Sequence, residues 1–363
     1  NVVDPLQIME RYGTDAVRFT LAQLSVQGRD LILSDDRLAA SRAFANKVWN
    51  AARFVLMNLE GAPQPLPPVE IAGLPLAERW ILASLDSAVA EVISAIDRYE
   101  FNLAALRAYS FVWHEFCDWY IELAKEPLKQ GGERQAAARW VLVRCFDGLL
   151  RLLHPFMPFI TEEIWQALRP YIDEPGLAAH LAIAKFPVPG VEHRLGPDEA
   201  AAMERCIAAT EAINSLRSLL GYHPGQRVEA RIRFLGANDA AADFRAEFER
   251  WKPYAATMAK VASLGLAGPS ESTPGGMVTA VLGWCEVAVM APTDFDFERA
   301  RAALRKKLDE VTAHHKQHKA RLDNPNFVAK AAPEMQEQMQ QRTQELAGQE
   351  ELLRKQLRLL EAN

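Results

Sequence analysis

The sequence predicts a mainly α protein: an antiparallel helix bundle, then a small α/β domain, then a C-terminal helical hairpin of coiled-coil type. Three patterns predict this order. Between residues 36 and 170, apolar residues recur three and four apart in long runs. From 227 to 290 the pattern changes to short alternating segments separated by glycine turns. Beyond 294, Phe297, Leu304, Val311 and His318 repeat every seven residues, and Met339, Leu346, Leu353 and Leu360 do so on a return segment.

Residues 1–35 read as a connector. Asp4-Pro5 supplies the cap and first-turn proline of a helix start, and Gly13 is expected to end that helix in the left-handed conformation. A second helix is predicted from Thr14 to Ser25, then a turn at Gly28-Arg29-Asp30 and an extended Leu31-Ile32-Leu33. The bundle occupies 36–170, with helices near 36–59, 76–98, 101–125, 133–154 and 159–169. The proline-rich stretch from Gly61 to Pro75 cannot continue a helix and forms its first long loop.

The third helix carries Tyr109, Phe111, Trp113, Phe116, Trp119 and Tyr120. These rings wrap most of its circumference, which favours bundle core over a base-stacking platform. His154, just before Pro155, reads as a helix-terminal packing residue and not a catalyst. Residues 171–196 form a linker. The domain at 197–293 is predicted to hold helices at 198–219 and 240–259, with strands near 227–234, 261–266, 277–282 and 284–290. Its basic strand face, Arg227, Arg231 and Arg233, fits a solvated surface better than an RNA contact. Residues 294–363 form the arm, folded back at Asp323-Asn324-Pro325-Asn326. Two helices of about 28 residues make it roughly 40 Å long at about 1.5 Å per residue. His314 and His318 stand four apart, but no carboxylate completes a ligand set, so no metal is assigned.

Composition is that of a globular chain: 363 residues, 49% hydrophobic, 24% charged. No run of apolar residues is long enough to span a bilayer, so no membrane partner is expected. Cys117, Cys145, Cys206 and Cys285 are scattered with no C-x-x-C pair, which argues against zinc and suits a reducing, cytoplasmic setting. The net charge of −6 is unevenly spread. Residues 297–333 hold nine Lys or Arg against four acids, so the arm's first helix is basic while the body is acidic.

One helix carries two distinct faces. Phe44, Val48, Ala51, Ala52 and Val55 form an apolar stripe. Arg42, Asn46, Asn50 and Arg53 recur at helical spacing beside Lys47 and Trp49. Guanidinium and amide donors next to an aromatic ring can hold unstacked RNA bases. An ordinary charged surface is the competing interpretation.

The run from Ser41 to Phe54, R-x-F-A-N-K-V-W-N-A-A-R-F, closely resembles the first anticodon-domain helix of valyl-tRNA synthetases. Asn1-Val2-Val3-Asp4-Pro5, Tyr12 to Phe19 and Gln27-Gly28-Arg29-Asp30 resemble the segment after the KMSKS loop of large class I synthetases. Glu115 to Tyr120 and Leu153 to Phe159 resemble bundle motifs of the valine, isoleucine and leucine enzymes, and Leu322 to Val328 the arm turn of the valine enzyme. The resemblance implies the C-terminal part of a bacterial-type valyl-tRNA synthetase, with a class I anticodon-binding bundle. It implies a monomer that binds valine tRNA, in a parent enzyme using ATP with Mg.

Arg42, Asn46, Lys47, Trp49, Asn50 and Arg53 would meet the anticodon. Arg305, Lys306, Lys307, Lys316, Lys319 and Arg321 would meet the tRNA elbow. No catalytic residue, metal or cofactor is assigned to these residues, because the ATP-binding and editing domains of that family are expected upstream. A fragment of the isoleucine or leucine enzyme and a non-catalytic coiled-coil scaffold are the alternatives. The chain alone is therefore expected to be inactive. Valine-dependent ATP–pyrophosphate exchange above background, in protein free of host enzyme, would refute this.

Overall fold

The computed structural model describes residues 4–25, 33–190, 195–235, 241–268, 271–323 and 333–361. The predicted turn at Gly28-Arg29-Asp30, most of the extended segment after it, residues 1–3 and the arm turn from Asn324 onward lie outside these residues. The chain forms two compact units, Asn1–Glu204 and Arg205–Asn363.

In the first unit, α1 (Pro5–Tyr12) starts where the Asp4 carboxylate accepts from the Leu6 amide at 3.0 Å. Gly13 has φ 93° and ψ 143°, a positive φ but not the left-handed helical conformation expected. The reason is that α2 (Thr14–Leu24) begins at once, so Gly13 turns the chain instead of closing a terminal loop. The bundle follows as α3 (Asp35–Asn58), α4 (Leu76–Asp97), α5 (Phe101–Ser110), α6 (Ile121–Gln130), α7 (Gly132–Leu153) and α8 (Pro158–Leu168). Ser34 and the acids Asp35 and Asp36 start α3 with a side-chain cap and favourable charge. At α8, whose own cap residue offers no side-chain bond, Asp15 of α2 accepts from the Ile160 amide at 2.7 Å.

Wide π-helical turns from Phe111 to Tyr120 join α5 to α6, so the third helix runs unbroken to Gln130 and past the predicted end at 125. Each π turn takes up an additional residue. That register brings Phe111, Phe116 and Tyr120 inward together, all buried. Tyr109 and Trp113 stack beside Phe44, and Trp119 meets Trp80 edge-on at 6.4 Å. The aromatic third helix is bundle core, as its pattern favoured. His154 ends α7, and its Nδ1 lies 2.8 Å from the Thr161 hydroxyl. Burial lowers its pKa from the ordinary value.

The second unit contains most of α9 (Pro197–Leu219), then β1 (Val228–Phe234), α10 (Ala241–Met258), β2 (Val261–Ala267), β3 (Met277–Val281) and β4 (Cys285–Met290). The sheet order is β2-β1-β4-β3, with β1 parallel to β2 and antiparallel to β4. Central β1 alternates as predicted, with Val228, Ala230 and Ile232 buried. Arg217 closes the end of α10 by donating to the Ala259 carbonyl at 2.8 Å. The arm is α11 (Phe297–Leu322) packed on α12 (Pro333–Glu361). Val311, Leu346 and Leu353 are its buried seam, flanked by Leu304 and Leu308, which matches the seven-residue pattern.

Within the bundle, Arg151 and Asp147 form a buried ion pair at 2.9 Å. Trp165 Nε1 donates to the same carboxylate at 2.8 Å, and Arg151 reaches Glu174 at 2.5 Å. Burial would lower the Arg151 pKa, but the carboxylates of Asp147 and Glu174 outweigh it and raise it. Changing Asp147 to Ala leaves Arg151 short of a partner and the Trp165 N–H with none. The expected loss is about 3–5 kcal/mol. Asp118→Ala, which removes the partner of Lys47 in a half-exposed pair at 2.6 Å, should lose only about 0–1 kcal/mol. Urea unfolding of both variants measures this, and equal midpoints would show that the buried network contributes nothing.

Candidate nucleic-acid interface

The apolar stripe of α3 is fully inside: Phe44, Val48, Ala51, Ala52 and Val55 are all buried. Phe44 packs against Phe19 at 5.0 Å and Tyr109 at 4.8 Å between ring centroids. Burying that stripe turns Asn46, Trp49, Asn50 and Arg53 outward, and all four are exposed. Trp49, which adjoins the stripe in sequence and could have been core, is 45% exposed. Arg42 is also exposed, but its Nη1 donates to the Arg11 carbonyl at 3.0 Å, so one donor is occupied.

Lys47 departs from expectation. Its ammonium lies 2.6 Å from Asp118 Oδ1 and 4.3 Å from the centroid of the Trp113 ring. The charge assigned to RNA is committed to an ion pair and a cation–π contact inside the bundle. Asp118 lies on the π-helical segment, 71 residues away in sequence, so local spacing could not reveal it. Lys47 is better described as the residue that pins α3 to the third helix. The pattern also missed Met57, which is 65% exposed. It stands four residues beyond Arg53 and eight beyond Trp49, so it extends the outward face by one turn. A polarizable thioether on that face suits contact with the flat face of a base.

On the arm, Lys306, Lys307, Lys316, Lys319 and Arg321 are exposed, and among the described residues none pairs with a carboxylate. Arg305 does: its Nη2 lies 2.7 Å from Glu361, which removes it from the free cations expected there. In the small domain Arg231 pairs with Glu271 at 2.7 Å and Arg233 with Glu286 at 2.9 Å. Two of the three arginines of that face are thus neutralised, in line with a solvated surface, and Arg227 is exposed. His315 bonds Glu350 at 2.7 Å, which ties the two arm helices together. Among the described residues no group of His, Cys, Asp or Glu could hold a metal ion. No helix of the described residues is long and apolar enough to cross a membrane. Burial raises the thiols of Cys117 and Cys206 to about 12, so both stay protonated near neutral pH.

Comparison with known proteins accounts for this combination of bundle, small sheet and basic hairpin. Residues 78–232 match the family described as the anticodon-binding domain of tRNA ligase. The match begins within α4, so α3 precedes it. Residues 294–361 match the valyl tRNA synthetase tRNA binding arm. The chain is thus of the aminoacyl-tRNA synthetase class. A valine–tRNA ligase of Geobacter sulfurreducens is 38% identical over 97% of this chain and 39% of its own length. That of Nitratidesulfovibrio vulgaris is 39% identical over 96% of this chain and 38% of its own. The chain belongs to the valine–tRNA ligase family and corresponds to the C-terminal part of its members. It spans about two fifths of the length of these relatives. Among solved structures, a LeuRS-tRNA-LeuAMS ternary complex from Agrobacterium radiobacter K84 overlays with a TM-score of 0.42 and 20% identity, over 63% of this chain and 28% of that one.

Proposed function

We propose that this chain is the part of a valine–tRNA ligase that binds valine tRNA, with α3 meeting the anticodon and the arm meeting the elbow. The whole ligase would join valine to that tRNA at the expense of ATP with Mg, as a monomer in the cytoplasm. The observation that carries the proposal is the pairing of two unlike surfaces in one family-matched chain. One is a helix face of amides, an arginine and an exposed tryptophan. The other is an arm on which Lys306, Lys307, Lys316, Lys319 and Arg321 are exposed with no carboxylate partner among the described residues. The first chemistry can discriminate bases, whereas the second can only grip phosphates. A coiled-coil scaffold would account for the arm's seam but not for the cations outside it.

Specificity is accordingly expected on α3. Losing one base contact, by Asn46→Ala or Arg53→Ala, should weaken valine tRNA binding by about 1–3 kcal/mol, or roughly five- to a hundred-fold. The loss should vanish with a tRNA whose anticodon has been replaced. The measurement is binding at fixed salt of both RNAs to each variant, with folding checked by circular dichroism. Folded variants that weaken both RNAs alike would remove α3 from the recognition site.

A further inference from the structure

The arm's cations are not equivalent. With the seam of α11 at Leu304, Leu308 and Val311, a rotation of about 100° per residue places Lys307, His314 and Arg321 on one flank. Arg301, Arg305, Lys316 and Lys319 fall on the other. The second flank bonds across to α12: Arg301 donates to the Leu360 carbonyl at 2.7 Å, and Arg305 pairs with Glu361 at 2.7 Å. Arg301 also pairs with Glu298 at 2.6 Å. Near the seam on that side His315 bonds Glu350, which Arg354 also contacts. Lys316 and Lys319, the remaining cations there, share the flank with Asp309 and Asp323.

The first flank is different. Lys307, His314 and Arg321 are all exposed and, among the described residues, meet no carboxylate. Their seven-residue spacing sets them about 10 Å apart along one edge. Lys306 and Arg299, also exposed, lie further round the same side, and Glu310 is the single acid of α11 among them. On α12 the same rotation puts Gln349 and Gln356 beside this edge, with Glu345, which Arg342 neutralises at 2.7 Å, further round; Glu350 and Glu361 lie on the opposite side. Neutral amides there can donate to a phosphate, whereas carboxylates would repel it.

We propose that the arm grips an RNA backbone with one face only, the edge of Lys307, His314 and Arg321, while the opposite face serves to lock α11 to α12. This rests on the tRNA-binding function proposed above and divides its six arm cations into two roles. Arg305 is structural, and Lys316 and Lys319 face away from the RNA.

The test compares two double variants of this chain with valine tRNA over a range of salt: Lys307→Ala with Arg321→Ala, and Lys316→Ala with Lys319→Ala. All four side chains are exposed, so both proteins should fold, and circular dichroism verifies it. Each lost phosphate contact lowers the slope of log affinity against log salt by roughly 0.7 to 0.9. The first pair should lower it by about 1.4 to 1.8, and the second should leave it unchanged. Equal losses, a loss from the second pair alone, or no change from either overturns the one-face assignment while tRNA binding stands. Failure of the unmutated chain to bind tRNA at low salt sinks the functional proposal itself.

Discussion

The packing of Phe44 between Phe19 and Tyr109 is the contact on which the rest of the bundle's outer surface depends. A helix lying on a core has one rotational freedom, and burying one stripe sets it. With Phe44, Val48 and Val55 inside, Asn46, Asn50 and Arg53 can only be outside. Truncating a buried Phe typically costs about 3–5 kcal/mol, more than any surface contact on the opposite face could contribute. The apolar face therefore decides what the polar face can present.

The same logic explains why Lys47 was withdrawn from that face. It lies between the two stripes, half-buried, where its ammonium is partly withdrawn from water. Asp118 and the Trp113 ring supply the compensation. The π-helical turns permit it: they let one segment bury Phe111 and Phe116 while Asp118 stays at the surface beside α3. The cation thus holds α3 against the third helix, and the amides and the Trp49 ring left on the outer face are groups that cost less to desolvate.

Much of the architecture was legible in the sequence because it is set locally. Helix periodicity, the Asp4-Pro5 start and the alternation in β1 placed most elements within a residue or two. What escaped depends on residues far apart. The run past 125 could not be read through Pro127, because a proline inside a helix ordinarily ends it. The partner of Lys47 could not be read because Asp118 lies on another helix. Arg305 was counted as free because Glu361 comes near it only once the hairpin closes in its antiparallel register. Met57 was overlooked because a thioether carries no obvious polar signal. For Lys47 and Arg305 one partner was visible and the tertiary contact that changed its meaning was not.

Net charge is a poor guide to such a molecule. At −6 the chain would be expected to repel a polyanion, yet at physiological salt a charge is felt only over about 8 Å. The 26 residues of α11 extend about 39 Å at 1.5 Å per residue, several times that range. Cations near the far end of the arm are screened even from acids at its base, so a phosphate there meets local charge only. The acids of α12 then matter by position and not by number. Glu350 and Glu361 are engaged on one flank, closing the hairpin and neutralising the cations beside them. The opposite edge is left positive. Closing the hairpin and holding a phosphate would both draw on the same arginines and lysines, and the two flanks keep those demands apart in space.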